Sequence, residues 1–109
     1  MNEQKRFEVL ARIDGYDVQA VCLTGAFPVY REPAGHWNEL PDYNSRDNLQ
    51  GVIDGLDMRS TLNEYYYELM HIMVRDRGGL HVREHEMTLA TVPQIQEAII
   101  RAFGMWEEW

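Results

Sequence analysis

The sequence predicts an α+β fold, in which a small antiparallel sheet (a hairpin plus a short strand) packs with about four helices. Apolar residues recur at helical spacing in four segments, and two runs rich in β-branched and aromatic residues flank a turn near residue 25. Because these strands and helices do not alternate strictly, a parallel sheet with crossover helices is not expected. The 109 residues, 45% of them hydrophobic and 26% charged, are predicted to form a single domain, 1–109.

The clearest helix pattern lies in residues 91–109. Thr91 is a good N-cap, Gln94 completes a capping box, and Pro93 suits the first turn, where its missing N–H would have no partner. Gly104 is placed to end the helix in the left-handed conformation. This helix should lay one apolar stripe on a sheet or on other helices. The stripe consists of Ile95, Ala98, Ile99, Ala102 and Phe103.

An N-terminal helix and a hairpin are predicted before it. Residues 3–14 place Phe7, Leu10 and Ala11 on one helical stripe, and Gly15 can end that helix, although residues 7–13, FEVLARI, could also form a strand. Residues 17–23 and 27–32 can pair as the two arms of a hairpin around a turn at residues 24–26. Pro28 removes a ladder donor, so the second arm should lie at a sheet edge or begin there.

Two further helices are predicted in the middle of the chain. Asn44 or Ser45 can cap the second helix, and Thr61 with Glu64 would form a capping box for the third, which should end at residues 78–79. Residues 80–89 remain open between a strand, a short hairpin and an irregular connection. The second helix should bury Leu49, Val52, Ile53 and Leu56, and the third Leu62, Tyr65, Tyr66, Leu69, Met70 and Met73.

The net charge of −8, from 18 acidic and 10 basic residues, argues against nonspecific binding to nucleic acid, which needs a basic face. It fits either a well-solvated surface or a basic partner. No apolar run is long enough to span a membrane, and the N-terminus lacks the apolar segment of a signal peptide. The single cysteine, Cys22, excludes an intramolecular disulfide and fits a reducing compartment. We therefore expect a cytoplasmic protein without membrane association.

One catalytic motif occurs in the sequence. Residues 81–85, HVREH, match the H-x-x-E-H pattern of zinc proteases, in which His81 and His85 would bind zinc and Glu84 would be the general base. That chemistry needs a helix and a third ligand, yet Gly78-Gly79 precedes the segment and no third ligand is evident. The favoured interpretation is an exposed, charged strand or turn. We accordingly predict no catalytic residue, no metal site, no cofactor and no enzymatic activity.

The sequence holds more large aromatic residues than one core stripe can take. Consecutive helical residues are rotated by about 100°, so residues 65–67, three tyrosines, cover about 200° of the third helix and Tyr67 should lie at the edge or outside. Aromatic residues outside the core are enriched in interfaces, and acidic neighbours would attract a basic partner. The candidate interface residues are Trp37, Asp42, Tyr43, Tyr67, Trp106, Glu107, Glu108 and Trp109.

Several of these residues also have a structural interpretation. Asp42 can cap the following helix, and the hydroxyl of Tyr67 can simply reach water. Trp106 can fold back on the last helix as its C-terminal contact. Trp109 has no such role and is expected to mark a contact surface.

The stretch LPDYNSRDNLQGVIDGL, residues 40–56, resembles a segment of small uncharacterised phage and prophage proteins. Residues 89–109 are similar to the end of the same proteins, which belong with the phage ABA sandwich domain. The resemblance covers most of residues 33–109 and implies a phage origin and an α–β–α layered fold, but no activity. The matching residues near the C-terminus are Ala90, Thr91, Gln94, Glu97, Ala98, Arg101, Gly104, Trp106 and Glu107.

These observations together predict a non-enzymatic phage or prophage accessory protein that binds a host macromolecule. The expected partner is a host-encoded protein, basic in charge, and the expected role is inhibition of host defence or host machinery in the bacterial cytoplasm. The aromatic C-terminus is also compatible with a homodimer. The alternatives are a small metal-binding or hydrolytic protein that uses the HVREH segment, and a virion assembly factor.

Overall fold

The structure, a computed structural model, describes the backbone of residues 3–15, 21–24, 27–31, 37–39, 42–58 and 61–107. Side chains are described for residues 3, 5–15, 42–56 and 61–107.

Four α-helices lie where the apolar periodicity predicts them. They are α1 (Glu3–Ile13), α2 (Arg46–Met58), α3 (Leu62–Asp76) and α4 (Val92–Ala102). The segment of residues 80–89, left open by the sequence, contains a 3-10 helix, Glu84–Leu89, and its Val82 side chain is buried in the core. The predicted stripes of α1 and α2 are buried.

Helix α4 is the centre of the helical body. It packs against α3 along most of its length and also against α1 and α2. Every side chain from Ile95 to Ile100 is buried, so the helix is enclosed on nearly all sides rather than along one stripe. Two of these six residues, Gln96 and Glu97, are polar, and hydrogen bonds to other elements satisfy both.

The ends of α4 have the predicted chemistry. The Thr91 N–H donates to Oε1 of Gln94 at 2.9 Å, and the Gln94 N–H donates to Oγ1 of Thr91 at 3.4 Å, which makes the capping box. At the other end, Gly104 has φ +68° and donates to the carbonyl of Arg101, while Met105 donates to the carbonyl of Ile100. This pair of bonds is a Schellman motif.

We expect Thr91→Ala to lower the free energy of unfolding by about 1 kcal/mol, because the Gln94 N–H loses its acceptor. Urea denaturation followed by circular dichroism measures the change. Thr91→Ser, which keeps the hydroxyl, is the matched control and should stay close to wild type. Equal stability of all three proteins would mean that the capping box contributes nothing.

Helix α3 ends as predicted but begins differently. Gly78 and Gly79 have φ values of +72° and +93°, and their N–H groups bond to the carbonyls of Arg75 and Val74. Thr61 occupies the N-cap position but makes no side-chain cap, so the capping box predicted with Glu64 is wrong. The reason is that the Thr61 hydroxyl donates instead to the carbonyl of Leu56, at the end of α2.

The backbone between α1 and α2 contains three short strands: β1 (Val21–Thr24), β2 (Phe27–Arg31) and β3 (Trp37–Glu39). They pair antiparallel in the order β1-β2-β3, with Cys22 opposite Val29 and Arg31 opposite Trp37. Their side chains, and residues 17–20 of the predicted first arm, lie outside the described residues.

In the part of the chain whose side chains are described, the predicted α+β fold with α–β–α layers is wrong. Of the residues whose side chains are described, 72% are helical and none lies in a strand. The apolar surface of α4, which was expected to lie on a sheet or on helices, packs on the three other helices. A helix with six consecutive buried residues needs neighbours all round, and one sheet face cannot supply them. This part of the protein is therefore a helical body.

Within the described ranges, no helix combines the length and the apolar composition that crossing a bilayer requires.

Candidate functional site

A groove of about 820 Å³ opens between α2, α3 and the 3-10 helix, and one residue of α4 also lines it. We call it the α2–α3 groove. A volume of this size is typical of sites that bind ligands or side chains of a partner. The lining residues are Arg46, Gln50 and Ile53 of α2, Tyr65, Tyr66, Tyr67, Leu69 and Met70 of α3, Glu84, Met87 and Thr88 of the 3-10 helix, and Ile95 of α4.

Helix α3 carries more apolar residues than its contact with α4 absorbs, and some of them line the groove. The buried stripe of α3 consists of Tyr65, Leu69, Ile72 and Met73. Tyr66 and Met70, one helical turn apart, stand beside this stripe and face the groove. The helix thus has one apolar face in the core and a second one next to it.

This second face is exposed. The exposed fractions are 46% for Tyr66, 59% for Tyr67 and 38% for Met70. The prediction that Tyr66 and Met70 belong to the buried face of α3 is therefore wrong, and Ile72 takes part in that face instead. The prediction that Tyr67 lies outside the core is confirmed, and its ring lies 4.3 Å from that of His71, measured between centroids.

Two charged residues of opposite sign line the groove without pairing with each other. Arg46, the first residue of α2, donates one hydrogen bond to the backbone carbonyl of Ala90. Within the described part of the chain, no carboxylate forms an ion pair with Arg46, and none of the basic groups pairs with Glu84. Both side chains are exposed, so each remains available to a partner.

A buried tyrosine also lines the groove. The side chain of Tyr65 is almost fully buried, and its ring lies 5.2 Å from that of Tyr66 between centroids. Burial, together with the neighbouring Tyr66, raises the pKa of Tyr65 above its usual value, although the charge of Arg46 acts in the opposite direction. The hydroxyl is therefore protonated at neutral pH and can donate a hydrogen bond. Among the described residues, none forms a hydrogen bond with it.

Two predicted interface residues serve the turn before α2 instead. The carboxylate of Asp42 accepts the N–H of Asn44 at 3.0 Å, which stabilises the turn that leads into α2. Tyr43 is fully buried, stacks edge-on against Phe7 and donates its hydroxyl to the carboxylate of Asp14 at 2.9 Å. The interface prediction for Tyr43 is therefore wrong, because its ring fills the core.

The predicted C-terminal residues divide between fold and surface. Trp106 is half-buried against the core, and the guanidinium carbon of Arg101 lies 5.2 Å from its ring centroid. Glu107 is exposed. Glu108, Trp109 and the side chain of Trp37 lie outside the described residues. Of the predicted interface residues that are described, Tyr67 is the one that lines the groove.

The HVREH segment lacks the geometry of the zinc motif. His81 precedes the 3-10 helix, which begins at Glu84, so the two histidines do not lie one α-helical turn apart on a common helix. His81, Glu84 and His85 are all exposed. Within the described ranges, no group of three histidine, cysteine, aspartate or glutamate side chains is arranged to hold a metal ion.

Sequence reasoning missed most of the groove. The apolar positions of α3 were assigned to one wide stripe, although their number exceeds what a single stripe can hold. That excess was the pattern from which Tyr66 and Met70 could have been found. For Arg46 and Glu84, no local pattern indicates a groove, because it forms between elements that are distant in sequence.

Comparison of the chain with protein-family models, with curated proteins and with solved structures finds no match.

Proposed function

We propose that this chain is a non-enzymatic phage or prophage accessory protein that binds a host-encoded protein through the α2–α3 groove. The resemblance of residues 40–56 and 89–109 to phage and prophage proteins supports the origin. Binding in the cytoplasm of the bacterial host would inhibit host defence or another part of the host machinery.

The observation that carries this proposal is the exposed apolar face of α3. Single exposed apolar residues are common on protein surfaces, but several that line one groove mark a contact site. Tyr66, Tyr67 and Met70 are such a set. Tyrosine and methionine are also enriched at the centres of protein interfaces, where they bury large areas.

The charge of the chain supports a basic partner. A net charge of −8 attracts a basic protein over distances longer than those of contact. This attraction would raise the association rate and would weaken as salt screens it. The groove itself, with Arg46 and Glu84, is balanced in charge, so its own contribution is mainly apolar contact.

The proposal predicts that groove variants lose the partner. Tagged wild-type protein captures the partner from host lysate, and the purified pair is then measured by calorimetry at low and high salt. Tyr66→Ala and Tyr67→Ala should each weaken binding about thirtyfold, equivalent to about 2 kcal/mol, because each removes a large side chain from the contact. Binding of the wild type should weaken as salt rises.

Leu80→Ala is the matched control. Leu80 is 68% exposed but does not line the groove, so its truncation removes a comparable exposed apolar side chain elsewhere. If Leu80→Ala weakened binding as much as the groove variants, or if the groove variants bound normally while folded, the groove would not be the contact site. A chain that bound only to copies of itself would instead favour virion assembly.

A further inference from the structure

One residue that lines the α2–α3 groove carries a polar group that the fold does not use. The Tyr65 side chain is almost fully buried, and its hydroxyl has no hydrogen-bond partner among the described residues. The fold gains no hydrogen bond from this hydroxyl, so phenylalanine would fill the same space without loss of an internal contact. The hydroxyl is therefore free to donate to a group that enters the groove.

Arg46 is the second group at this place. Its bond to the carbonyl of Ala90 uses one donor of the guanidinium and fixes the side chain beside the groove. The other donors of the planar fork have no carboxylate partner within the described residues, although the chain has 18 acidic residues. Arginine presents its donors in the geometry that a carboxylate accepts.

We propose that the groove receives a segment of the protein partner in which an apolar side chain stands beside a carboxylate, and that this carboxylate binds Arg46 and the Tyr65 hydroxyl. The inference rests on the proposed function and specifies the partner of the same site. The apolar side chain would lie among Ile53, Met70 and Met87, which line the groove.

The charges of the groove distinguish a carboxylate from other polar groups. An ammonium group would be repelled by Arg46, and it would offer no acceptor to the protonated Tyr65 hydroxyl. A carboxylate accepts from both donors at once. Glu84, on the 3-10 helix, disfavours a second acidic group and favours a basic residue elsewhere in the segment, in agreement with a partner that is basic overall.

Small molecules that combine an apolar group with a carboxylate provide the test. Phenylbutyrate combines an aromatic ring with a carboxylate, and phenylbutanamide is its neutral counterpart of nearly the same shape. Titration of the full chain, followed by ¹H–¹⁵N NMR, should show millimolar binding of phenylbutyrate at the amides of the groove. The neutral amide should bind about tenfold more weakly, because it lacks the charge that Arg46 recognises.

Two variants assign the contacts. Tyr65→Phe should weaken phenylbutyrate binding about fivefold and leave the unfolding midpoint unchanged or higher, because the hydroxyl has no partner in the fold. Arg46→Gln should weaken phenylbutyrate binding about tenfold and leave the affinity for phenylbutanamide nearly unchanged. Gln50→Ala, which changes another lining residue of α2, is the control. It tests whether any change of the groove lining weakens binding to the same extent.

The outcomes separate this inference from the proposed function. Absence of phenylbutyrate binding, equal affinity for both probes, or unchanged affinity in Tyr65→Phe would overturn the inference. A loss of stability in Tyr65→Phe would also overturn it, since the hydroxyl would then serve the fold. The proposed function is decided independently by the effect of Tyr66→Ala and Tyr67→Ala on the protein partner. If those variants lose the partner while Tyr65→Phe keeps it, the groove is the contact site but the carboxylate contact is wrong.

Discussion

Replacement of Gln96 by leucine should lower the free energy of unfolding by about 2–3 kcal/mol, although it makes a buried helix more apolar. Gln96 is fully buried in α4. Its Nε2 donates to the backbone carbonyl of Tyr43 at 2.7 Å and to Oδ1 of Asn44 at 3.3 Å, and its Oε1 accepts from Nε of Arg6 at 3.1 Å. One side chain thus joins α1, the turn before α2 and α4.

The expected loss has a specific cause. Leucine has nearly the size of glutamine, so little cavity forms, but the Tyr43 carbonyl loses the donor that Gln96 supplies and Nε of Arg6 loses one acceptor. Chemical denaturation followed by tryptophan fluorescence measures the change. Gln50→Leu on α2 is the control, because Gln50 is exposed and should change stability by less than about 0.5 kcal/mol. Equal stability of Gln96→Leu and wild type would show that the network contributes no net stability.

The contrast between Thr91 and Gln96 shows what the sequence could predict. The capping box depends on residues three apart in the chain, so a local pattern reveals it. The burial of Gln96 depends on Tyr43, 53 residues away, and that of Glu97 depends on Arg75, 22 residues away. Polar residues at positions 96 and 97 suggest that this face of the helix is exposed. Only their distant partners explain why both side chains are buried. The enclosure of α4 on nearly all sides, and with it the helical body, was therefore missed.

The candidate site shows the same difference between features that a local pattern reveals and features that depend on distant residues. The exposure of Tyr67 follows from the rotation between neighbouring helical residues, which is a local property. Tyr43 was counted among the aromatic residues that the core cannot take, whereas its ring packs against Phe7 in α1. Composition predicted a surplus of aromatic residues, but only packing between distant elements determines which of them remain exposed.

Replacement of Glu97 by glutamine should lower the free energy of unfolding by about 2–3 kcal/mol at neutral pH. The largely buried Glu97 carboxylate accepts two hydrogen bonds from the guanidinium of Arg75, at 2.8 and 3.1 Å, and one from Nε of Arg101 at 2.7 Å. Glutamine keeps the shape but removes the charge that holds α3 against α4. Because Arg75 is about half exposed, water screens part of the interaction, and the expected loss is smaller than for a fully buried pair.

Asp76→Asn is the matched control for the loss of one negative charge beside Arg75. The Asp76 carboxylate also bonds to Arg75, at 3.0 Å, but it lies at the surface and should contribute much less. Urea denaturation of the two variants and the wild type compares them. Similar losses for Glu97→Gln and Asp76→Asn would mean that net charge, rather than the buried contact, determines the effect.

The effect of Glu97→Gln should also depend on pH. Burial alone would raise the pKa of Glu97, but the hydrogen bonds and charges of Arg75 and Arg101 outweigh burial and hold the pKa below its usual value. A lowered pKa in the folded state stabilises the protein above the unfolded value of about 4.3, and this contribution is lost as the pH falls below it. The difference in unfolding free energy between wild type and Glu97→Gln should therefore be constant near neutral pH and shrink in acid. A difference that kept its full size in acid would contradict a lowered pKa, and the contact between α3 and α4 would then owe its stability to packing rather than to the ionised carboxylate.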